Sequence, residues 1–239
     1  GQSTGPGSKN VSLDEELKRV LPVLQKLRPR TKVLISVDTW RAKVAQKALE
    51  CGADMINDVT ALRGDKKMSS VLAKHGKPVV LMYSKDKTAR TSMRNVHYDD
   101  VVKTVKDFLK KQIAVAVLAG IQRKNLILDP GMGAFVSSEA KYSLQILARL
   151  KEFQTGWSVA EALAIKCPEG YPSFGLPILV GPSRKSFIGQ TLNLPLPERL
   201  EGTLACVTVA VMNGASILRV HDVKEARRTV DMVYAISKV

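Results

Sequence analysis

The strongest constraint on the fold is the alternation of short apolar segments with longer segments of helical periodicity. Six such apolar segments occur in the 239 residues, at 32–39, 53–59, 77–84, 125–131, 176–183 and 216–222. They are apolar almost throughout instead of alternating with polar residues, which is typical of parallel strands covered on both faces. The pattern predicts an α/β protein, either a doubly wound sheet or a (β/α)8 barrel. No GxGxxG follows any strand, which weakens the dinucleotide-binding alternative.

Helical patterns connect these segments. Ser12 and Glu15 predict a capping box at the start of the first helix, whose apolar face is formed by Leu13, Leu17, Val20, Leu24 and Leu27. Further helices are predicted at 40–50, 65–74, 98–118, 138–153, 197–213 and 222–237, and another begins near Phe187. The polar stretch 85–97 and the segment 154–175 are predicted to be irregular.

Charge and composition narrow the class of protein. Lys and Arg number 37 against 22 Asp and Glu, a formal net charge of +15. Such a charge suggests a polyanionic partner, nucleic acid included, although the lysines are spread over amphipathic helices as solvated surface would be. No apolar run approaches the roughly 20 residues that span a bilayer, and the three scattered cysteines indicate a reducing, cytoplasmic setting without a zinc site.

Polar or special residues end every predicted strand. They are Asp38, Asn57 with Asp58, Met82 to Ser84, Asp129, Ser183 to Ser186, and Arg219 with His221 and Asp222. Each has an ordinary explanation, such as a helix cap for Asp38, an Asx-turn for Asp129, a core histidine for His221 or a surface ion pair for Arg184. The carboxyl ends of parallel strands meet on one side, however, so we expect these side chains to form a single rim.

The chemistry of this predicted rim suits a flat heterocycle that carries a phosphate. A carboxylate accepts paired N–H donors from an amidine-like edge, and Lys185 can donate to a ring carbonyl or ring nitrogen. Arg219 can lie over an aromatic ring, and His221 is suited to a phosphate.

Five segments at these strand ends resemble the dihydropteroate synthase family. They are SVDTWR (36–41), ADMINDV (53–59), LILDPGMG (126–133), GPSRKSFIG (181–189) and ILRVHDV (217–223), and GQSTGPG (1–7) resembles the family's second loop. The resemblance covers almost the whole chain and implies a single (β/α)8 TIM-barrel domain over 1–239, with six βα units visible. It implies a cytoplasmic, homodimeric transferase of folate biosynthesis. Such an enzyme joins 6-hydroxymethyl-7,8-dihydropterin diphosphate to p-aminobenzoate and releases diphosphate with the help of Mg2+.

The resemblance also implies roles for individual residues. Asn57 and Asp129 would hold the amidine edge of the pterin, Lys185 its ring, and Asp38 would lie beside the reacting carbon. Arg219 would stack on the pterin and face the diphosphate. The remaining implied site residues are His221 at the diphosphate, Ser186 at the p-aminobenzoate carboxylate, Met82 and Gly181 along the pocket, and Thr4 and Phe135 near p-aminobenzoate. These roles need no covalent enzyme intermediate, and no metal ligand is assigned.

Several positions depart from the family pattern. Gln2 and Gly5 stand where the second loop usually has an acid and an arginine, and Ala134 stands where a phenylalanine is usual, with Phe135 following it. These departures predict weaker turnover and altered sulfonamide binding. The family's first two strands have no counterpart here, so we expect unpaired strand edges or a partner chain at that position, and an N-terminally incomplete barrel. Two alternatives stay open: a pterin-binding methyltransferase-like barrel and a basic nucleic-acid-binding protein.

Overall fold

A computed structural model describes residues 1–154 and 175–239. The predicted irregular segment 154–175 therefore lies almost entirely outside the described residues. The strands are β1 Ser36–Asp38, β2 Met55–Asp58, β3 Val79–Met82, β4 Leu126–Asp129, β5 Leu179–Val180 and β6 Ile217–Leu218. The helices are α1 Leu13–Leu27, α2 Ala42–Glu50, α3 Met68–His75, α4 Val101–Leu118, α5 Ala140–Ala148, α6 Ser186–Leu192, α7 Leu200–Met212 and α8 Val223–Ile236.

All strand pairs are parallel, and the strands follow one another in chain order. β1 to β4 form one sheet, β5 and β6 pair with each other, and a bridge between Leu128 and Ile178 joins the two groups. The prediction of unpaired edges is confirmed within the described residues, because β1 and β6 are the outer strands and do not pair with each other.

The two outer strands correct the prediction that every strand is buried on both faces. β3 and β4 are buried throughout, whereas both described residues of β6 are half-buried and Ser36 of β1 is exposed. The predicted strand 32–39 is also too long, since Val33 and Leu34 are 71% and 75% exposed ahead of β1. Because each outer strand has a neighbouring strand on one side only within the described residues, it gains less burial and fewer ladder hydrogen bonds, so regular pairing ends sooner.

Side chains of alternate strand residues form two layers on the concave face of the sheet. Because successive side chains point to opposite faces, residues two apart on a strand share a face. The lower layer is an apolar cluster of Met55, Val80, Ile127, Leu179 and Ile217. The next inward position on each strand gives the upper layer: Asp38, Asn57, Met82, Asp129, Gly181 and Arg219. Five residues of the predicted rim, Asp38, Asn57, Met82, Asp129 and Arg219, therefore share one layer of the sheet. Asp58 is one position beyond Asn57, so it points to the opposite face, where it accepts from the Thr60 and Leu62 amides.

The outward side chains of the strands pack under the helices. Val37, Ile56, Leu81, Leu128 and Val180 belong to one large core cluster that includes residues of all the helices from α1 to α7. The helices mostly match the predicted ones, although α5 ends at Ala148 and a 3-10 turn continues over Leu150–Phe153. None of the helices within the described ranges is both long and apolar enough to cross a membrane.

The first helix differs from its prediction in two respects. The Ser12 hydroxyl accepts from the Glu15 amide at 3.1 Å, but the Glu15 carboxylate accepts from Arg19 instead of completing a capping box. Of the predicted apolar face only Leu24 is buried, while Leu13 and Leu27 are 39% and 41% exposed. This face lies at the β1 edge, where the described residues provide less to pack against.

Candidate functional site

Asp38, Asn57 and Arg219 form one hydrogen-bonded group at the open side of the rim. Asn57 Nδ2 donates to Asp38 Oδ2 at 3.1 Å, and Arg219 Nη2 approaches the same oxygen at 3.2 Å. Burial raises the pKa of Asp38, and the Arg219 guanidinium and the Asn57 amide oppose that rise. The Asp38 side chain is nevertheless 38% exposed to solvent. Asp38 does not cap α2, because the Ala42 amide donates to Asp65 instead.

The carbonyl oxygen of the Asn57 side chain is a second acceptor of the rim. Asn57 Oδ1 is buried and accepts no hydrogen bond within the described residues. An unsatisfied buried carbonyl costs about 1–3 kcal/mol, so a site that retains one gains from a ligand that donates to it. The neighbouring Asp58 explains the local turn: its carboxylate accepts from Thr60 and from the Leu62 amide.

Asp129 and Lys185 form the charged centre of the rim. Asp129 is 5% exposed, and burial raises the pKa of its carboxyl to about 6 against the opposing influence of the Gly131 amide, Lys185 and Arg219. Burial likewise lowers the pKa of Lys185, while Asp129 opposes that fall. The charge of each group thus influences the pKa of the other, although the two do not form an ion pair within the described residues.

A tight turn after β4 fixes the direction of Asp129. Asp129 Oδ1 accepts from the Gly131 amide at 2.8 Å, so the predicted Asx-turn is present and uses one of the two carboxylate oxygens. Gly131 has φ +72°, and a Cβ there would lie 2.5 Å from the Tyr83 carbonyl oxygen. The turn therefore requires glycine, and it leaves the second Asp129 oxygen for the site.

An apolar wall stands beside the charged centre. Met82 packs in a cluster with Val59, Ala89, Trp40 and Phe135. Lys185 Nζ lies 5.1 Å from the centre of the Phe135 ring. The aromatic that is displaced by one position in the sequence therefore still reaches the site, and Ser186 Oγ lies close to Gly133 on the same side.

Two paired contacts join the loops after β5 and β6. The Ser183 hydroxyl and His221 Nδ1 are 2.8 Å apart, and Arg184 makes a bidentate ion pair with Asp222 at 2.8 Å for each bond. His221 is exposed and not a core histidine, whereas Arg184 has the surface ion pair that its ordinary explanation predicts. Gly181 is buried beside the Arg219 side chain.

The segment before α1 lies against the loop after β3. The Thr4 carbonyl accepts from the Thr91 amide at 3.0 Å, and Arg90 donates to the Ser8 carbonyl at 2.6 Å. The backbone of Thr4 thus holds the residue in place, and its side chain makes no hydrogen bond to Asp129 or Lys185 within the described residues.

Two buried charged residues were not singled out by sequence reasoning. Glu16 is 1% exposed and accepts from Thr39 at 3.0 Å and from Arg41 at 2.6 Å, which fastens α1 to the end of β1. Lys85 is 2% exposed at its side chain and donates to Asp86 and to the Ala134 carbonyl. Glu16 did carry a signal, since it lies three residues after Leu13 and four before Val20 on the apolar face of α1.

The chain is similar to known proteins of one family. The model of the pterin binding enzyme family matches residues 1–221. The dihydropteroate synthase of Bacillus subtilis is 39% identical over 236 residues, covering 99% of this chain and 73% of the relative. That of Escherichia coli K12 is 41% identical over 235 residues, covering 98% and 76%.

Solved structures of dihydropteroate synthases are similar as well. The Yersinia pestis enzyme in a sulfonamide complex has a TM-score of 0.84 at 37% identity, covering this whole chain and 79% of that one. The Xanthomonas albilineans enzyme with 4-aminobenzoic acid has a TM-score of 0.84 at 35% identity, with coverage of 100% and 78%. The Clostridium difficile enzyme with pteroic acid has a TM-score of 0.82 at 37% identity, with coverage of 99% and 80%.

The parallel strands, the family match and the similarity to these structures define a pterin-binding enzyme of the (β/α)8 barrel class, six of whose βα units are described here. The chain belongs to the dihydropteroate synthase family, whose members are transferases of folate synthesis. Family membership favours the dihydropteroate synthase hypothesis over the methyltransferase-like barrel and the nucleic-acid-binding protein.

Proposed function

We propose that this chain catalyses the dihydropteroate synthase reaction, in which 6-hydroxymethyl-7,8-dihydropterin diphosphate and p-aminobenzoate give 7,8-dihydropteroate and diphosphate. The observation that carries the proposal is the buried, unpartnered Asn57 Oδ1 in the same layer as Asp38 and Asp129. A carbonyl and a carboxylate on the same face of the sheet present acceptors to the 2-amino and ring N–H donors of a pterin.

The charged centre supplies the second part of pterin recognition. In the proposed complex Asp129 accepts two N–H bonds from the amidine edge, and Lys185 donates to the ring carbonyl or the N5 side. Burial, which raises the pKa of Asp129 and lowers the pKa of Lys185, makes both charges costly in the protein alone. A ligand that hydrogen-bonds to both groups offsets that cost, which favours binding.

The bond changes are a substitution at the pterin methylene. The C–O bond to the diphosphate breaks with its electron pair on oxygen, and positive charge develops on the pterin methylene. Asp38 stabilises that charge electrostatically, and Arg219 and His221 stabilise the departing diphosphate. The aniline nitrogen of p-aminobenzoate, held beside the methylene, then forms the C–N bond with its lone pair and transfers a proton to water or to the released diphosphate.

The p-aminobenzoate end is proposed to lie along the apolar wall. Met82, Phe135 and Gly181 would contact its ring, Ser186 its carboxylate, and Thr4 would approach from the loop before α1. Met82 is 5% exposed and packs in one cluster with Phe135, so a ring that lies against these side chains is shielded from water on that side. Sulfonamides are proposed to compete with p-aminobenzoate for this position.

The resemblance implies Mg2+, but the described residues do not form a protein cage for it. No group of three or more His, Cys, Asp or Glu side chains within those residues is arranged to hold a metal ion. Mg2+ commonly binds through substrate phosphates and retains several waters. We therefore assign the ion to the diphosphate of the substrate and derive no catalytic step through it.

The remaining implied properties stand as proposals. They are a single domain over 1–239, a homodimer in the cytoplasm, small molecules as the partners, and no role for nucleic acid or a membrane. Sedimentation velocity tests the dimer directly, since a monomer at micromolar concentration would contradict it.

Calorimetry with the pterin diphosphate tests the proposed function. We expect Asp129→Ala and Lys185→Ala to weaken binding at least tenfold. Asp231→Ala and Lys103→Ala, which alter exposed ion pairs, serve as matched controls and should bind like the parent chain. A diphosphate-release assay with p-aminobenzoate then tests turnover. Unchanged pterin binding in Asp129→Ala and Lys185→Ala contradicts the proposal. If the chain binds RNA in a salt-sensitive way, and both variants bind it equally well, the nucleic-acid alternative is favoured.

A further inference from the structure

Ser183 and His221 make two reciprocal contacts between the loops after β5 and β6. The His221 amide donates to the Ser183 hydroxyl oxygen at 3.2 Å, and the same oxygen lies 2.8 Å from His221 Nδ1. Ser183 is 6% exposed, whereas His221 is exposed to the mouth of the barrel. A buried hydroxyl on one strand end therefore holds an accessible imidazole on the next.

The donors and acceptors around this pair indicate where the Ser183 hydroxyl hydrogen points and which nitrogen of the His221 ring is protonated. The Ser183 oxygen already accepts from the His221 amide, and its own hydrogen needs an acceptor because the residue is buried. Within the described residues His221 Nδ1 is the acceptor in reach. The neutral imidazole consequently has an unprotonated Nδ1 and carries its proton on Nε2.

We propose that Ser183 is a positioning residue that fixes the Nε2–H tautomer of His221 and so presents an N–H donor to a diphosphate at the rim. The inference rests on the proposed function for the nature of the ligand, but not for the tautomer. In the other tautomer His221 would offer a lone pair to an anion, which is repulsive.

The surrounding contacts keep the pair in place. Arg184 has φ +54° and is anchored by its bidentate bond to Asp222, by its amide donating to Thr203 at 3.0 Å, and by its carbonyl accepting from Arg199 at 3.1 Å. Ser183 precedes this anchored residue, and His221 precedes Asp222. The ion pair and the serine–histidine pair thus join the same two loops at adjacent positions.

Nitrogen-15 NMR of the imidazole rings tests the tautomer without any ligand. The chain has three histidines, His75, His97 and His221, so the resonances can be assigned by single substitution. At a pH where the rings are neutral, we expect His221 to show a protonated Nε2 and an unprotonated Nδ1. Ser183→Ala should give a mixture of tautomers, and Ser183→Thr, which retains the hydroxyl, should restore the single form. A protonated Nδ1 in the unaltered chain overturns the inference.

His97 is an internal control in the same spectra. Its Nδ1 lies 2.9 Å from the Tyr142 hydroxyl, which also accepts from the Tyr98 amide at 3.0 Å. The tautomer of His97 should therefore be the same in all three proteins. A change at His97 together with His221 in Ser183→Ala would mean a general structural disturbance and would overturn the specific role of Ser183.

Binding of inorganic diphosphate separates the positioning role from the proposed function. We expect Ser183→Ala to weaken diphosphate binding about fivefold, the worth of about one hydrogen bond, with recovery in Ser183→Thr and unchanged binding of a pterin without diphosphate. His221→Ala should lose at least as much. If His221→Ala binds diphosphate normally, the proposed function of His221 is wrong. If Ser183→Ala alters neither the tautomer nor the affinity, the inference about Ser183 is wrong.

Discussion

Arg219 Nη2 lies 3.2 Å from Asp38 Oδ2, so the end of the last described strand is in contact with the end of the first. The two residues are 181 positions apart, and β1 and β6 share no backbone pairing within the described residues. A side-chain contact in the polar layer thus connects β1 and β6, the two outer strands, which have no backbone hydrogen bonds to each other in the described part of the chain.

This contact predicts a directional change in acidity. The Arg219 guanidinium opposes the burial that raises the pKa of Asp38, so Arg219→Gln should raise the pKa of Asp38 further. Carbon-13 NMR of the Asp38 carboxyl during a pH titration measures it. Arg227→Gln, which breaks an exposed ion pair with Asp231, should leave Asp38 unchanged. A pKa of Asp38 that is equal or lower in Arg219→Gln would show that the contact is absent in solution.

Asp129 predicts a pH dependence of stability. Its pKa in the folded chain is about 6, against 3.8 for the ordinary group, so the folded state retains this proton to higher pH than the unfolded chain does. Because the folded state binds this proton more tightly, ionisation of Asp129 lowers the free energy of unfolding as the pH rises from about 4 to about 6. Above that pH the loss is constant.

Asp129→Asn should therefore stabilise the ligand-free chain at pH 7.5 and have little effect at pH 4. The gain is at most about 3 kcal/mol, and less in practice because Lys185 and Arg219 lose a counter-charge. Urea unfolding at both pH values measures the difference, with Asp231→Asn as the exposed control. A variant that is less stable than the parent at pH 7.5 would contradict the burial cost assigned to this carboxylate.

The ion pair of Glu16 and Arg41 is buried, so we expect its loss to cost more stability than the loss of the exposed pair of Glu15 and Arg19 on the same helix. Arg41→Ala leaves Glu16, 1% exposed, without its cation and also removes bonds to the Val11 and Ser12 carbonyls. We expect a loss of about 3 kcal/mol or more in the free energy of unfolding. Arg19→Ala, whose pair with Glu15 is about half exposed, should cost under about 0.5 kcal/mol. Chemical denaturation decides, and losses of similar size would refute the distinction.

Alanine substitutions at two glycines with positive φ distinguish the cost of backbone strain from the cost of steric overlap. Gly131→Ala places a Cβ 2.5 Å from the Tyr83 carbonyl oxygen at φ +72°, whereas Gly76→Ala meets nothing within 4 Å at φ +61°. Gly76→Ala should cost about 1 kcal/mol from conformation alone. Gly131→Ala should cost about 2–4 kcal/mol, since overlap adds to it, and should also weaken pterin binding by moving Asp129. Equal losses in thermal unfolding would contradict this.

The sequence predicted the order and type of the elements because their periodicities are local. The βα alternation, most of the helix ranges and the parallel pairing were all available from residue patterns. The lengths of β1 and β6 were not, since each of these strands pairs on one side only within the described residues. Val33 and Leu34 have the composition of a buried strand but lie exposed ahead of β1. The helical pattern of α1 was also correct, whereas the burial of Leu13 and Leu27 depended on a surface that the described chain does not provide.

The candidate site divides in the same way. Parallel strands and a two-residue repeat were enough to place Asp38, Asn57, Asp129 and Arg219 on one rim, because both rules act along the chain. The tertiary structure alone showed that Asn57 Oδ1 is unpartnered, that Glu16 is a buried anion, and that Ser183 binds the His221 ring. Each of these depends on which atoms distant segments bring within about 3 Å, and hydrogen bonds and burial are decided at that distance. The sequence by itself thus determined the fold class and the chemical inventory of the rim, and tertiary packing decided which groups are satisfied and which remain available to a ligand.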